Sequence, residues 1–193
     1  DGHHRYETSL NYRAEMLRAH PGATGEEPWN FVLMYLVNLW SPGLTVLPTH
    51  RAVFGLSGFD APAFLDRLSE RFDVSPVDDG ADALILRLKE NRGKRQAFGV
   101  ALRGDGRFYA VSPKPGLDLA ALMPGRAPAL RKLDVTILHA LVIEGILGID
   151  EKAQEEQRNL RYVKDAADLA AQVARGEADA GFFLNPTPVA QVK

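Results

Sequence analysis

The sequence predicts an α+β fold in which a mixed sheet that contains a hairpin packs against several helices, one of them central and apolar. Segments with the helical spacing of apolar residues alternate with short apolar segments rich in branched and aromatic residues. Asp105-Gly106 joins two of these short segments, which is a strong signal for a β-hairpin. Residues 134–147 are apolar nearly all round, which is typical of a helix in the middle of a fold.

Five helices are predicted from stripes of apolar residues and from the residues that bound them. Pro21-Gly22 ends the first helix, Asp60 caps the second, and Gly148 follows the fourth as a C-cap. For the third segment a helix is favoured over a strand. The predicted helices span residues 3–20, 60–72, 80–91, 134–147 and 165–174.

Short apolar segments between the helices predict seven strands. Trp29–Leu39 is uncharged and rich in aromatic and branched residues, so we expect it to be a buried strand. The last strand ends at Asn185-Pro186-Thr187, where turn formation is favoured over contact with a substrate. The predicted strands span residues 29–39, 44–47, 72–77, 96–102, 107–112, 160–163 and 180–184.

Length and composition indicate a globular protein, since 46% of the 193 residues are hydrophobic and 25% are charged. We expect a single domain over residues 1–193 that is an internal fragment of a longer chain lacking both native termini, because the sequence starts without Met inside a motif. No apolar run approaches the ~20 residues that cross a bilayer, and no signal peptide opens the chain. These features predict a cytoplasmic protein with no membrane partner.

Charge and cysteine content exclude several function classes. The formal net charge of −2 argues against a protein that grips nucleic acid through bulk positive charge. The chain has no cysteine, which excludes disulfides, thiol nucleophiles and iron–sulfur clusters. It also has no Walker-type phosphate loop and no dinucleotide-binding glycine motif.

The opening residues form a candidate phosphate site where a loop enters a helix. The first N–H groups of a helix lack internal partners and carry partial positive charge. Gly2 lets a ligand approach the backbone, the amides of His3 and His4 can bind phosphate oxygens, and Arg5 adds a planar guanidinium. The competing interpretation is a plain helix start with histidines on the surface.

Catalytic groups are available beside this candidate phosphate site. Asp1 or Glu7 can hold Mg²⁺ or act as a general base toward a hydroxyl group. His3 or His4 can move a proton, and His3 shares a helix face with Glu7 four residues later. The alternative role for Asp1 is to cap the helix.

Two further places carry polar residues of interest. Thr49-His50-Arg51 follows a short predicted strand, and His50 and Arg51 can complete an anion site with Arg5. The alternative is a surface loop whose arginine pairs with a carboxylate. His139 lies on the apolar helix, where a core histidine hydrogen-bonded to backbone is favoured over a functional one.

Motifs spread along the chain resemble domain-of-unknown-function family 1015, a family of uncharacterised bacterial and archaeal proteins. The matching motifs, in the order of the family, are DGHHRYET at 1–8, LPTHR at 47–51, LDV at 133–135 with LH at 138–139 and LGI at 147–149, and FFLNPT at 182–187. Members of the family are about twice as long as this chain. The resemblance implies that the chain is the middle of such a protein, and it implies no function.

Residues Gly2-His3-His4-Arg5 are also similar to the Gly-x-x-Arg phosphate-binding motif of the ParB/sulfiredoxin fold, which includes free-serine kinases. The similarity implies a phosphate-binding role for these four residues. Sulfiredoxin chemistry is excluded because the chain lacks its reactive cysteine.

Together these observations predict a nucleotide- or phosphate-binding protein whose partner is a small-molecule phosphate ligand. The enzyme hypothesis is a phosphotransferase, such as a nucleotide-dependent kinase of a small hydroxyl metabolite, using ATP or ADP with Mg²⁺. The alternative is a non-catalytic, ParB-like regulatory or nucleic-acid-associated binding module. A third hypothesis is a scaffold whose chemistry lies in other parts of the full-length protein.

Overall fold

The computed structural model describes residues 3–38, 41, 43 and 45–187, with the backbone alone of His3. The chain divides into two compact units, Asp1–Leu44 and Thr45–Lys193. We call them the first unit and the second unit, and each is described by itself. The single domain over residues 1–193 stays a prediction.

One long helix begins the first unit. Helix α1 spans His3–Ala19, which confirms the prediction for 3–20. A 3₁₀ helix at Pro28–Asn30 follows, preceded by a turn that the carboxylate of Glu27 organises. Glu27 accepts hydrogen bonds from the backbone N–H groups of Thr24 and Gly25 at 2.6 and 2.9 Å.

The strand predicted at 29–39 is wrong for the part that the structure describes. Residues 31–38 have no regular secondary structure and all of their side chains are exposed. A strand exists only when a neighbour pairs with its backbone, and the described residues of the first unit include no other strand that could do so. Residues 45–47 of the predicted strand at 44–47 are likewise not a strand, and Leu44 lies outside the described residues.

The second unit is built on a six-stranded sheet with the strand order β2-β4-β3-β6-β1-β5. All of its pairings are antiparallel, whereas the sequence led us to expect a mixed sheet. The hairpin predicted at Asp105-Gly106 is present as β3–β4. The strands are β1 His50–Val53, β2 Phe72–Val77, β3 Phe98–Leu102, β4 Phe108–Pro113, β5 Leu160–Val163 and β6 Ala180–Leu184.

Helices cover both faces of this sheet, which confirms the predicted α+β class. None of the described helices is long and apolar enough to span a membrane. Short 3₁₀ turns such as Leu130–Lys132 connect some of them. The helices are α2 Ala61–Arg71, α3 Gly80–Asn91, α4 Leu119–Leu122, α5 Asp134–Ile137, α6 Glu151–Glu155 and α7 Ala166–Ala174.

The alternation of side chains along each strand divides the core into two parts. On one face of the sheet, α2 and the segment after α5 pack against residues such as Val53, Val100 and Phe182. On the other face, α3 and α7 pack against small residues such as Ala52 and Ala101. The sheet is therefore the middle layer of three.

The central apolar helix predicted at 134–147 is present but changes type along its length. After α5 the chain continues as a π-helix over Leu138–Glu144, in which hydrogen bonds reach five residues back. The N–H of Leu147, for example, donates to the carbonyl of Val142 at 2.9 Å. Gly148 ends the segment with a φ of 71°, as its predicted C-cap role requires.

Candidate functional site

Arg51 is the central residue of the candidate site. It is the second residue of β1, and its half-buried side chain crosses to the π-helix. Its Nε donates a hydrogen bond to Nε2 of His139 at 3.0 Å, and a terminal nitrogen donates to the carbonyl of Thr49. Its guanidinium carbon also lies 5.1 Å from the ring centroid of Tyr162 on β5.

A chain of hydrogen bonds fixes the imidazole of His139. Because Nε2 accepts from Arg51, the ring proton is on Nδ1, which donates to Oε1 of Gln154 at 2.5 Å. The buried side chain of Gln154 in turn donates through Nε2 to the carbonyl of Ile149 at 2.7 Å. Burial and the charges of Arg51 and Arg126 lower the pKa of His139 to about 4, while the hydrogen bond with Gln154 opposes this shift, so the ring is neutral at pH 7.

The positive charge of Arg51 has no negative partner within the described part of the chain. No carboxylate there forms an ion pair with it, although other arginines of the unit have such partners. Burial lowers the pKa of Arg51 to about 10, against a smaller effect of Tyr162, and the group stays protonated at neutral pH. A half-buried cation held only by neutral groups favours an anion beside it.

A pocket of about 200 Å³ opens at this charge. Arg51, His139 and Gln154 line it together with Arg126 and the carboxylates of Glu144 and Glu151. A terminal nitrogen of Arg126 lies 4.0 Å from Oε1 of Glu151, a long and exposed ion pair that an incoming anion can replace. The lining therefore combines two guanidinium groups with two carboxylates.

His50 does not share this pocket with Arg51, although the sequence predicted a joint anion site. Consecutive residues of a strand point to opposite faces, and His50 is buried on the face of α3 and α7. Its Nδ1 accepts the N–H of Leu184 at 3.1 Å, and its ring lies 5.6 Å from that of Phe183. The described position gives His50 a place in the core, and its catalytic role stays a prediction.

The opening motif lies in the first unit, away in sequence from the Arg51 pocket. Asp1 and Gly2 are outside the described residues, and of His3 only the backbone is described, as the first residue of α1. His4 and Glu7 are exposed, with Nδ1 and Oε2 3.7 Å apart, and Arg5 is exposed on the same helix. Their predicted phosphate-binding and catalytic roles, and the likeness to the ParB/sulfiredoxin motif, stay predictions.

Metal binding can be judged only for the described residues. Among them, no group of three or more His, Asp or Glu side chains is placed to hold a metal ion. The predicted Mg²⁺ ligand Glu7 is described, but its alternative Asp1 is not.

Sequence reasoning missed most members of the pocket, among them Glu144 and Glu151. His139 was favoured as a core residue bonded to backbone, whereas it bonds two side chains. Its signal was available, since His139 is the one polar residue between Ile137 and Ile143. Gln154 and Arg126 gave no signal, because only the folded chain brings them beside Arg51.

Asp134, next to the pocket residues in sequence, has a structural role. Its half-buried carboxylate accepts the N–H of Ala97 at 3.2 Å and thereby joins the start of α5 to the start of β3. Burial raises the pKa of Asp134 to about 6, although the hydrogen bond from Ala97 opposes the shift. The charged form is thus disfavoured in the folded protein.

We expect Asp134→Asn to raise the free energy of unfolding at pH 7.5 by about 2 kcal/mol. The folded carboxyl binds its proton more tightly than the unfolded one, so wild-type stability falls as the pH rises from about 4 to about 6 and stays lower above it. Asparagine keeps an acceptor for Ala97 and has no charge. Urea unfolding at pH 7.5 and pH 4 measures the gain, which should vanish at pH 4.

The exposed Asp66 provides the control, and Asp66→Asn should change stability by less than about 0.5 kcal/mol at both pH values. A destabilised Asp134→Asn protein at pH 7.5 would mean that the charge of Asp134 is needed in the fold.

Of the comparisons with known proteins, the one with family models gives a match. A family model described as "Protein of unknown function (DUF1015)" matches residues 1–136. Neither a curated protein nor a solved structure matches the chain. The matched range includes the opening motif, Arg51 and Arg126, and it ends before His139.

Proposed function

The chain belongs to the DUF1015 family of proteins of unknown function, and we propose that it binds a small phosphate-bearing metabolite in the Arg51 pocket. The observation that supports this most is the half-buried guanidinium of Arg51, which neutral groups hold in place and no described carboxylate neutralises. A phosphate group is a fitting ligand because a guanidinium binds its oxygens through two parallel hydrogen bonds.

The hydrogen-bond chain behind Arg51 prepares the site before a ligand arrives. Gln154 is anchored to the backbone of Ile149, it orients His139, and His139 orients the Nε edge of Arg51. An arginine fixed in this way loses little side-chain entropy on binding, which raises affinity. The π-helix that carries His139 is a structure found often at functional sites.

The size of the pocket limits the ligand. About 200 Å³ accommodates a phosphate group with a small carbon skeleton, whereas drug-sized ligands occupy roughly 300 Å³ or more. A nucleotide can therefore place its phosphates in the pocket only if its base and sugar lie outside.

Phosphoryl transfer from ATP is the catalytic form of this proposal. Glu144 and Glu151 line the pocket and supply two carboxylates, the number that Mg²⁺ commonly takes from a protein when phosphate oxygens complete its shell. Arg51 and Arg126 would stabilise the charge that develops on the transferred group. A binding module without turnover would use the same arginines and would not need the carboxylates.

The test is calorimetry of the full-length protein with inorganic phosphate, and with ATP and ADP in the presence and absence of Mg²⁺. We expect Arg51→Gln to weaken phosphate binding by about 10- to 100-fold, which corresponds to the loss of charged hydrogen bonds of about 1.5–3 kcal/mol. Arg158→Gln is the matched control, because Arg158 is an exposed arginine of the second unit that pairs with Glu156 outside the pocket. It should leave the affinity unchanged.

Arg5→Ala separates this proposal from the opening motif. If Arg5→Ala abolished binding and Arg51→Gln did not, the phosphate site would lie at the start of α1 and the proposal would fail. Absence of phosphate and nucleotide binding at millimolar concentration would also refute it. Binding to wild type without phosphate release or transfer would favour the regulatory module over the enzyme.

A further inference from the structure

The first unit leaves an apolar segment without cover. None of its described residues is buried, and seven consecutive apolar side chains, Phe31–Val37, are all exposed. Leu33 is 100% exposed, Tyr35 92% and Leu36 83%. Burial of such side chains is favourable, so a segment left open in this way favours association.

The backbone of this segment is also available for pairing. Phe31 is extended, with φ −120° and ψ 143°, and no residue from Val32 to Val37 makes a backbone hydrogen bond within the described part of the chain. Free N–H and C=O groups along an apolar segment are what an added β-strand requires. No charged residue occurs between Pro28 and Thr49, so like charges do not oppose such pairing.

The order of residues makes the segment complementary to itself. Read outward from Met34 in both directions, the sequence NFVLMYLVN places an apolar residue opposite an apolar residue at the first three steps and asparagine opposite asparagine at the fourth. Two antiparallel copies centred on Met34 align Phe31 with Val37, and Leu33 with Tyr35. Aromatic residues opposite branched or aliphatic ones are favourable cross-strand pairs, and each pair occurs twice about a two-fold axis.

We propose that residues 31–37 are a dimerisation strand that pairs antiparallel with the same segment of a second copy of the chain, with Met34 on the two-fold axis. The seven side chains are between 39% and 100% exposed, so much of their area is available toward the roughly 800 Å² that each partner buries in a standard stable interface. Pairing gives hydrogen-bond partners to the backbone groups along one edge of each strand, and it packs the apolar side chains of the two copies against each other across the strands. Because the segment matches itself, a second copy is the occupant that its sequence specifies.

Cysteine cross-linking in the full-length protein tests both the dimer and its register. The 193-residue chain has no cysteine. A cross-link that forms with one introduced cysteine and is absent from the unsubstituted protein can therefore be assigned to that cysteine. Met34→Cys places the two thiols directly opposite, and we expect a disulfide-linked dimer on mild oxidation. Leu36→Cys is the matched control, because in this register its two copies lie four residues apart along the strands, about 13 Å, beyond disulfide reach.

Light scattering after gel filtration supplies the second readout. We expect a dimeric mass for the wild-type protein at micromolar concentration and a monomeric mass for Leu33→Glu, with unchanged circular dichroism. A monomeric wild-type protein that does not cross-link at Met34→Cys would overturn the proposal, and the segment would then belong to another partner. Equal cross-linking of Met34→Cys and Leu36→Cys, or growth into large polymers, would also overturn it.

Discussion

Lowering the pH from 7 to 4.5 is expected to destabilise the protein by about 2 to 3 kcal/mol for each of two histidines, His50 and His139. Both use an unprotonated ring nitrogen as an acceptor in the folded chain. Nδ1 of His50 accepts the N–H of Leu184, and Nε2 of His139 accepts from Arg51. A proton on either nitrogen removes its hydrogen bond and places a charge in or beside the core.

The direction of this effect follows from the pKa values. Burial, together with the charge of Arg51 and against a smaller effect of Asp165, lowers the pKa of His50 to about 4, and His139 has a pKa of about 4 as well. Between pH 4 and about 6.5 the unfolded chain therefore binds more protons than the folded one. The contribution of the two neutral histidines to the free energy of unfolding is fully present above pH 6.5 and is lost as the pH falls to 4. Asp134 titrates in the opposite sense in an overlapping range and reduces the net loss.

His50→Asn isolates the contribution of His50, since the asparagine oxygen can replace Nδ1 as acceptor for Leu184. Urea unfolding between pH 4.5 and 7.5 gives the free energy of unfolding as a function of pH, and its slope gives the number of protons that the chain takes up on unfolding. For His50→Asn this number should be about one lower than for wild type. Val53→Ala on the same strand is the control, because it loses buried volume without changing a titratable group. An unchanged slope for His50→Asn would show that His50 does not titrate on unfolding.

Elements with strong local signals could be predicted from the sequence. The caps at Asp60 and Asp165 accept backbone N–H groups two or three residues into α2 and α7, so those helices begin where predicted. The turn at Asp105-Gly106 similarly fixed the β3–β4 hairpin. Strand β1 was missed because its first two residues, His50 and Arg51, are polar, and its pairing partners β5 and β6 lie more than 100 residues later.

The candidate site was predicted in part, and the reason is again distance along the chain. Arg51 was selected because it follows a proline in a motif, but its partner His139 is 88 residues away. The π-helical turn that positions His139 has no signal in the apolar pattern, because α- and π-helices need similar residues. The strand predicted at 29–39 shows the converse error, since composition alone cannot supply the neighbour that a strand needs.

A large loss of stability from a single added group is expected at Gly181, in the middle of the sheet. Gly181 is on the face of β6 that packs against α7, and a Cβ placed there would lie 2.8 Å from Cγ2 of Val173 and 3.1 Å from Cγ of Leu169. Gly99 on β3 faces α3 in the same way, with Leu84 at 2.5 Å. The two glycines therefore let both helices approach the sheet more closely than any side chain would allow.

We expect Gly181→Ala to lower the free energy of unfolding by about 1–3 kcal/mol and Gly181→Val by more, because α7 has to move or its side chains must leave their rotamers. Val173→Ala removes buried volume and therefore destabilises the wild-type protein. If the contact with Val173 causes the loss in Gly181→Ala, then Val173→Ala should lower the free energy of unfolding less in the Gly181→Ala protein than in wild type. Gly22→Ala is the control, since nothing lies within 4 Å of a Cβ there and its φ is not positive. Purely additive losses from Gly181→Ala and Val173→Ala would place the strain elsewhere, in the pairing of β6 with β1 and β3 rather than in its contact with α7.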